Sequence, residues 1–151
     1  MPRTRSGPLL AVVATTLLCG CVAPYAPPQN GPTALVQYTA GLAAGTVQVL
    51  SFDSANCDGK TFIGAVNAGE PGKASREATV AANKELVNTL QSMRFGATSR
   101  TVCSLTIGFV PTANAQYRVD FDISGGQCGA RVTRGDGSAE PTARPLALCK
   151  H

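Results

Sequence analysis

Histidine is almost missing from this chain of 151 residues: the single one, His151, is the last residue. A serine or cysteine triad would have to take its base from the chain terminus, and no G-x-S-x-G elbow occurs. No G-x-G-x-x-G fingerprint and no P-loop are present. Nothing in the sequence specifies a cofactor or a metal site. Aromatic residues are few, five phenylalanines and three tyrosines with no tryptophan. That scarcity argues against a sugar-stacking surface. No aromatics interleave with a basic cluster, so nucleic acid is not an expected partner. Long apolar runs are lacking too. The longest uncharged apolar stretch near the start, GPLLAVVATTLL at residues 7–18, falls short of the ~20 residues that a permanent membrane span needs. These absences set aside the common enzyme classes, and a non-enzymatic role is expected.

The first 21 residues do carry a pattern. Arg3 and Arg5 form a basic head without an acid, the uncharged run follows, and Leu18-Cys19-Gly20-Cys21 closes it. A basic head, a short apolar body and small residues at its end are the parts of a secretory signal. A zinc or redox role for Cys19 and Cys21 fares poorly, because the next cysteine is 36 residues downstream of Cys21 and a closed zinc site wants four ligands. The last four residues resemble the lipobox of bacterial lipoproteins. The resemblance covers only the signal and the modified cysteine. It implies cleavage before Cys21, lipid (palmitate included) on Cys21, and loss of Cys19 with the signal peptide 1–20. Cys19 is an uncommon occupant of its lipobox position. In that family an aspartate after the modified cysteine favours retention at the inner membrane. Val22 stands there, which implies an outer-membrane anchor with the domain facing the periplasm.

Removal of residues 1–20 leaves 131 of 151, with eleven basic and nine acidic residues. That is one domain of ordinary size, and its small net charge exerts only a weak pull on anionic partners. Four prolines between Val22 and Pro32 disfavour helix and keep the chain extended. Residues 21–41 therefore read as a lipid anchor and proline-rich tether, and residues 42–151 as the folded domain.

The domain reads as β. In TVCSLTIGF, 101–109, Cys103, Leu105, Ile107 and Phe109 share one face. In QYRVDFDI, 116–123, Tyr117, Val119, Phe121 and Ile123 point in while Arg118, Asp120 and Asp122 point out. Such period-two alternation marks half-buried strands. Gly125-Gly126 supplies a turn, and CGARVTR, 128–134, follows. Pairing Ile123 with Cys128 sets Asp120 opposite Arg131 and leaves Thr106 on Asp120's far flank. Shorter candidates lie at 46–52, 60–66 and 146–149. The turn between the first two, 53–59, lacks the ligand spacing of a calcium loop. Residues 76–93 suit either a helix or two strands around Asn83-Lys84-Glu85; the β context favours two strands. The expected fold is an antiparallel Greek-key β-sandwich with two disulfides and at most one short helix; a small barrel is the alternative.

Cys57, Cys103, Cys128 and Cys149 are an even set in an oxidising compartment. If the strands around 101–109, 116–123 and 128–134 form a meander in one sheet, Cys103 and Cys128 flank one strand. Their Cα atoms then lie beyond ~9 Å, too far for a bond. The expected pairs are Cys128–Cys149 and Cys57–Cys103.

Asp53, Asp58, Asp120, Asp122 and Asp136 read as surface acids, since nothing specifies a second carboxylate held beside a cleft. Gly135 to Pro145, GDGSAEPTARP, reads as a long polar loop, mobile and partner-facing, with Gly135, Asp136, Glu140 and Arg144 as its candidate contacts. Three roles stay open. The first is a structural or adaptor lipoprotein that engages another envelope protein. The second is an inhibitor or immunity-like protein that blocks a secreted hydrolase through the loop. The third is a carrier of a small or lipidic ligand inside a barrel.

Overall fold

A computed structural model describes residues 22–42, 45–70, 74–95 and 100–149. The signal peptide, Cys21 and His151 lie outside the described residues.

The structure is a two-sheet β-sandwich, with no helix among the described residues. One sheet has six strands: β1 (Ala23–Pro24), β4 (Thr61–Ala68), β3 (Gly45–Phe52), β6 (Leu86–Phe95), β7 (Arg100–Phe109) and β10 (Arg144–Leu146), in that spatial order. The other has four: β5 (Ser75–Ala81), β2 (Thr33–Ala40), β8 (Gln116–Ser124) and β9 (Gln127–Arg134). The sheets do not close into a barrel. Pairing is antiparallel except at two places, β1 beside β4 and β2 beside β8, so the all-antiparallel expectation is corrected to a mixed one.

Alternation builds the core. Val36 and Tyr38 of β2, Val80 of β5, and Val119 and Phe121 of β8 face Val47, Val49, Leu90 and Phe109 of the six-stranded sheet, all buried. The space between the sheets is filled, not hollow. Across it, the Tyr38 hydroxyl donates to Asn88 Oδ1 at 2.9 Å, and Asn88 Nδ2 donates to the Leu50 carbonyl at 3.3 Å. Burial, and to a lesser degree Tyr25, raises the Tyr38 phenol pKa, so the phenol stays a neutral donor. A β-bulge at Val49/Leu50 leaves Ile63 as the extra residue of β4.

The expected register holds for β8 and β9: Ile123 pairs with Cys128 and Asp120 with Arg131, through a turn in which Gly125 and Gly126 both take positive φ. Two successive positive φ angles suit glycine in a two-residue hairpin. Residues 76–93 form two strands, β5 and β6. They belong to different sheets, and the chain crosses between them at the polar break.

Three further expectations need correction. The first is the tether over residues 21–41, which is shorter than its prolines suggest. TALVQYTA, 33–40, is a strand in the middle of the four-stranded sheet, with Ala34, Val36 and Tyr38 buried. Ala23–Pro24 pair with β4, Tyr25 N–H donates to the Phe62 carbonyl at 2.9 Å, and its hydroxyl reaches the Thr79 carbonyl at 3.1 Å. The folded domain thus begins at Ala23, not at residue 42. Proline keeps the segment extended, and an extended segment can also be laid on a sheet edge.

The meander is the second correction. β7 lies in the six-stranded sheet, while β8 and β9 lie in the four-stranded one. The 110–115 connection carries the chain across, pinned where Asn83 N–H meets the Pro111 carbonyl at 2.7 Å. Thr106 therefore does not flank Asp120; it shares a hydrogen bond of 2.7 Å with Thr89, and Thr39 flanks Asp120 instead.

The disulfides follow from that. The pairs are Cys103–Cys128, Cα atoms 5.8 Å apart, and Cys57–Cys149, 5.5 Å apart, not Cys57–Cys103 and Cys128–Cys149. Cys103 and Cys128 point into one core from opposite sheets, so the distance argument for strands within a sheet does not apply. Cys57–Cys149 clips the C-terminal segment onto the outer face of the six-stranded sheet. There Leu50, Phe52, Val87 and Cys149 form a second, smaller buried cluster.

Candidate binding groove

The outer face of the four-stranded sheet carries a broad polar depression. Because Tyr117, Val119 and Phe121 point inward, Arg118, Asp120 and Asp122 must point outward. Their neighbours follow from register. Glu77, Gln37, Arg118 and Thr133 form one row across the sheet; Ser75, Thr39, Asp120 and Arg131 form the next. The result is a polar grid with opposite charges interspersed.

Asp120 is the hub. One of its carboxylate oxygens accepts from Arg118 Nε at 2.8 Å and from the Thr39 hydroxyl. Asp120 is level with Arg131, as expected, but Arg118 of the same strand is the guanidinium bound to it. Asp122 turns an oxygen to its neighbour's Ile123 N–H at 2.7 Å. Around these groups opens a cavity of about 860 Å³, lined among others by Thr39, Ser75, Arg118, Asp120, Asp122 and Arg131. Gly41 and Gly129 line one end, where the lack of side chains keeps the floor accessible. A smaller depression of about 390 Å³ shares Gln37, Arg118 and Asp120 with it and runs on to Arg134, Gly135 and Gly137. The groove therefore leads from the sheet face to the start of the polar loop.

That loop is not the loose segment expected from its composition. Glu140 is buried, only 4% exposed. Its carboxylate takes Arg134 Nε at 2.8 Å, Thr142 N–H at 3.0 Å and the Thr142 hydroxyl at 2.7 Å. Thr142 in turn accepts Val110 N–H at 2.9 Å, tying the loop to the end of β7. Burial is the largest influence on the Glu140 carboxyl and opposes its ionisation. The Arg134 and Thr142 hydrogen bonds and the Arg134 charge together outweigh it and hold the pKa below the usual glutamate range. Arg144 is engaged as well, with one guanidinium nitrogen 2.6 Å from Glu85 Oε1. At the tip, Asp136 accepts both the hydroxyl and the N–H of Ser138, at 2.6 and 2.9 Å, which lowers its pKa. Of the four loop residues singled out by sequence, Glu140 and Arg144 hold the loop in shape. Gly135 adjoins the groove, and Asp136 stands exposed at the tip.

The other acids lie apart from the groove. Asp53 and Asp58 belong to the 53–59 turn, where Asp58 takes the Ser54 hydroxyl at 3.0 Å. Among the described residues, no group of three or more histidine, cysteine, aspartate or glutamate side chains could hold a metal ion. The groove offers fixed guanidinium, carboxylate, amide and hydroxyl groups, which suit recognition of a polar, mixed-charge surface. The sequence pointed to these residues only as a wet face. The adjacency of β2 to β8, which completes the grid with Gln37 and Thr39, had no local signal because the two strands lie far apart in the chain.

No protein-family model matches the chain, and no curated protein matches it in sequence.

Proposed function

We propose that the protein is a non-enzymatic envelope lipoprotein, anchored through lipid on Cys21 in the outer membrane, whose sandwich presents the groove of the four-stranded sheet to a protein partner on the periplasmic side. The observation that carries this reading is the Arg118–Asp120–Arg131 grid on a rigid, disulfide-stapled sheet, open over about 860 Å³. Charged groups held in fixed positions favour one partner over others more than they add raw affinity.

Two measurements test it. Mass spectrometry of the membrane-extracted protein is expected to show an acylated Cys21 at the mature N-terminus, and Cys21→Ser to abolish both lipid and processing. Affinity capture from detergent-solubilised envelope is expected to recover a partner with the native protein and to lose it with Arg131→Glu. A partner retained undiminished by Arg131→Glu, with the disulfides intact, excludes the groove as its seat.

The inhibitor or immunity-like role is a second reading, supported by the clamped geometry around Glu140. A loop already held in one shape loses little freedom on binding. In that case the captured partner is a secreted hydrolase, and Asp136→Arg at the tip abolishes capture while Arg131→Glu does not. The carrier reading asked for a hollow barrel, and a filled sandwich leaves it no interior.

A further inference from the structure

We infer that the domain is seated on the bilayer by the β1–β4 edge, with Val22, Pro24 and Phe62 as its contact and the groove turned away from the membrane. This rests on the lipoprotein reading of Cys21.

The chain after Cys21 is bound to the sandwich almost at once. Ala23 pairs with Thr61 and Pro24 with Phe62, and Tyr25 is hydrogen-bonded to both sheets. Only Val22 separates the cysteine from Ala23. Two residues span at most about 7 Å, so a lipid on Cys21 holds this edge at the headgroup level. A tether that lifted the domain clear would need the free length that β1 and Tyr25 have taken up.

The surface at that edge fits the neighbourhood. Val22 and Phe62 are among the few exposed large apolar residues, at 38% and 36%. They border a shallow depression with Gln48, Leu50, Lys60 and Gln91. β3, β4, β6 and β7 contain no aspartate or glutamate anywhere along their length. The strands of the other sheet carry Glu77, Asp120 and Asp122. The two faces of the sandwich thus differ in kind. Beside the lipid attachment point the outer face of the six-stranded sheet carries no carboxylate among the described residues and is bordered by Lys60; the ion pair of Glu85 with Arg144 lies over β7 and β10 at the far edge. The outer face of the four-stranded sheet carries the charged grid. An anionic lipid surface repels carboxylates and attracts lysine, so the carboxylate-free end of the first face, over β4 and β3, is the part a bilayer admits. Asp53 and Asp58, on the turn that precedes Lys60, are exposed and bound the seat, because carboxylates do not enter hydrocarbon.

The test uses the lipidated full-length protein in vesicles of phosphatidylethanolamine and phosphatidylglycerol. The chain has no tryptophan, so single substitutions give unambiguous probes: Phe62→Trp and Gln48→Trp at the seat, Arg131→Trp on the groove. Brominated phospholipids are expected to quench the first two several-fold more than the third. Equal quenching at all three positions, with the Cys21 lipid present by mass spectrometry, overturns the orientation and leaves the lipoprotein reading standing. Absence of the lipid overturns both. A Phe62→Trp probe that is shielded in native envelope but not quenched in vesicles also overturns it, and assigns the edge to a protein partner. Gln48→Trp keeps the test decisive if Phe62→Trp fails to fold.

Discussion

Tyr38 and Asn88 meet across the core: a phenolic hydroxyl from the middle of one sheet donates to an amide oxygen on a central strand of the other, at 2.9 Å, both residues fully buried. The same amide holds the Leu50 carbonyl beside the β-bulge. This link fixes the two sheets in relative position more specifically than apolar contact alone. Tyr38→Phe leaves Asn88 Oδ1 without its donor, and is expected to cost about 1–3 kcal/mol. Asn88→Val strands both the Tyr38 hydroxyl and the Leu50 carbonyl and is expected to cost more. Urea unfolding of the two variants gives the comparison; a Tyr38→Phe protein as stable as the native one shows that the link contributes nothing.

Non-reducing peptide mapping is expected to recover Cys57 joined to Cys149 and Cys103 joined to Cys128. Replacing Cys103 and Cys128 together by serine removes a staple between the sheets that closes a loop with sequence separation 25. In the chain-entropy account that is worth ~3 kcal/mol. A peptide linking Cys128 to Cys149 would be incompatible with Cys128 on the core between the sheets and Cys149 in the separate outer cluster, and would undo the topology.

Glu140 should make stability depend on acid. Its carboxyl is held below the usual glutamate range by Arg134 and Thr142 against the opposing effect of burial. A depressed folded-state value means that the contribution is complete above the unfolded value of about 4.3. It falls away as pH drops from there through the lower folded value. Glu140→Gln removes this dependence and loosens the loop, which proteolysis between Asp136 and Arg144 would report. Identical stability profiles for the two proteins between neutral and strongly acid pH would show the clamp to be without effect.

Tyr25 separates a docked segment from a free tether. Its ring packs on the main core and its hydroxyl reaches Thr79. Tyr25→Ala is expected to destabilise the domain by about 1–2 kcal/mol. A free tether would make the substitution silent in thermal unfolding.

Much of the sandwich was legible residue by residue. Cys103 to Phe109 and Tyr117 to Ile123 alternate so regularly that face, strand and the β8–β9 register could be read from them, down to Asp120 opposite Arg131. The β2 strand was equally legible in Ala34, Val36 and Tyr38, but the prolines before it drew the boundary of the tether too far. β6 was ambiguous because its inward face reads Leu86, Asn88, Leu90, Ser92, half polar, with the Asn88 amide satisfied by a residue 50 positions away. Of the groove, the outward charges of β8 and β9 could be read, while Gln37 and Thr39 could not be placed beside them.

The sequence by itself determined that this is a β domain with inward and outward faces, paired cysteines, a glycine hairpin and a lipobox-like start. These are local matters: side-chain period, backbone permission and short-range spacing act within a few residues. Only the tertiary structure decided which strands share a sheet, which cysteines meet, that the proline-rich segment lies on the β4 edge, and that Thr39 stands against Asp120. Both sheets of a sandwich bury the same kind of alternating face. Alternation therefore tells a strand which side goes inward but not which sheet it joins; that is settled by packing between residues remote in the chain, as Tyr38 with Asn88 and Cys103 with Cys128.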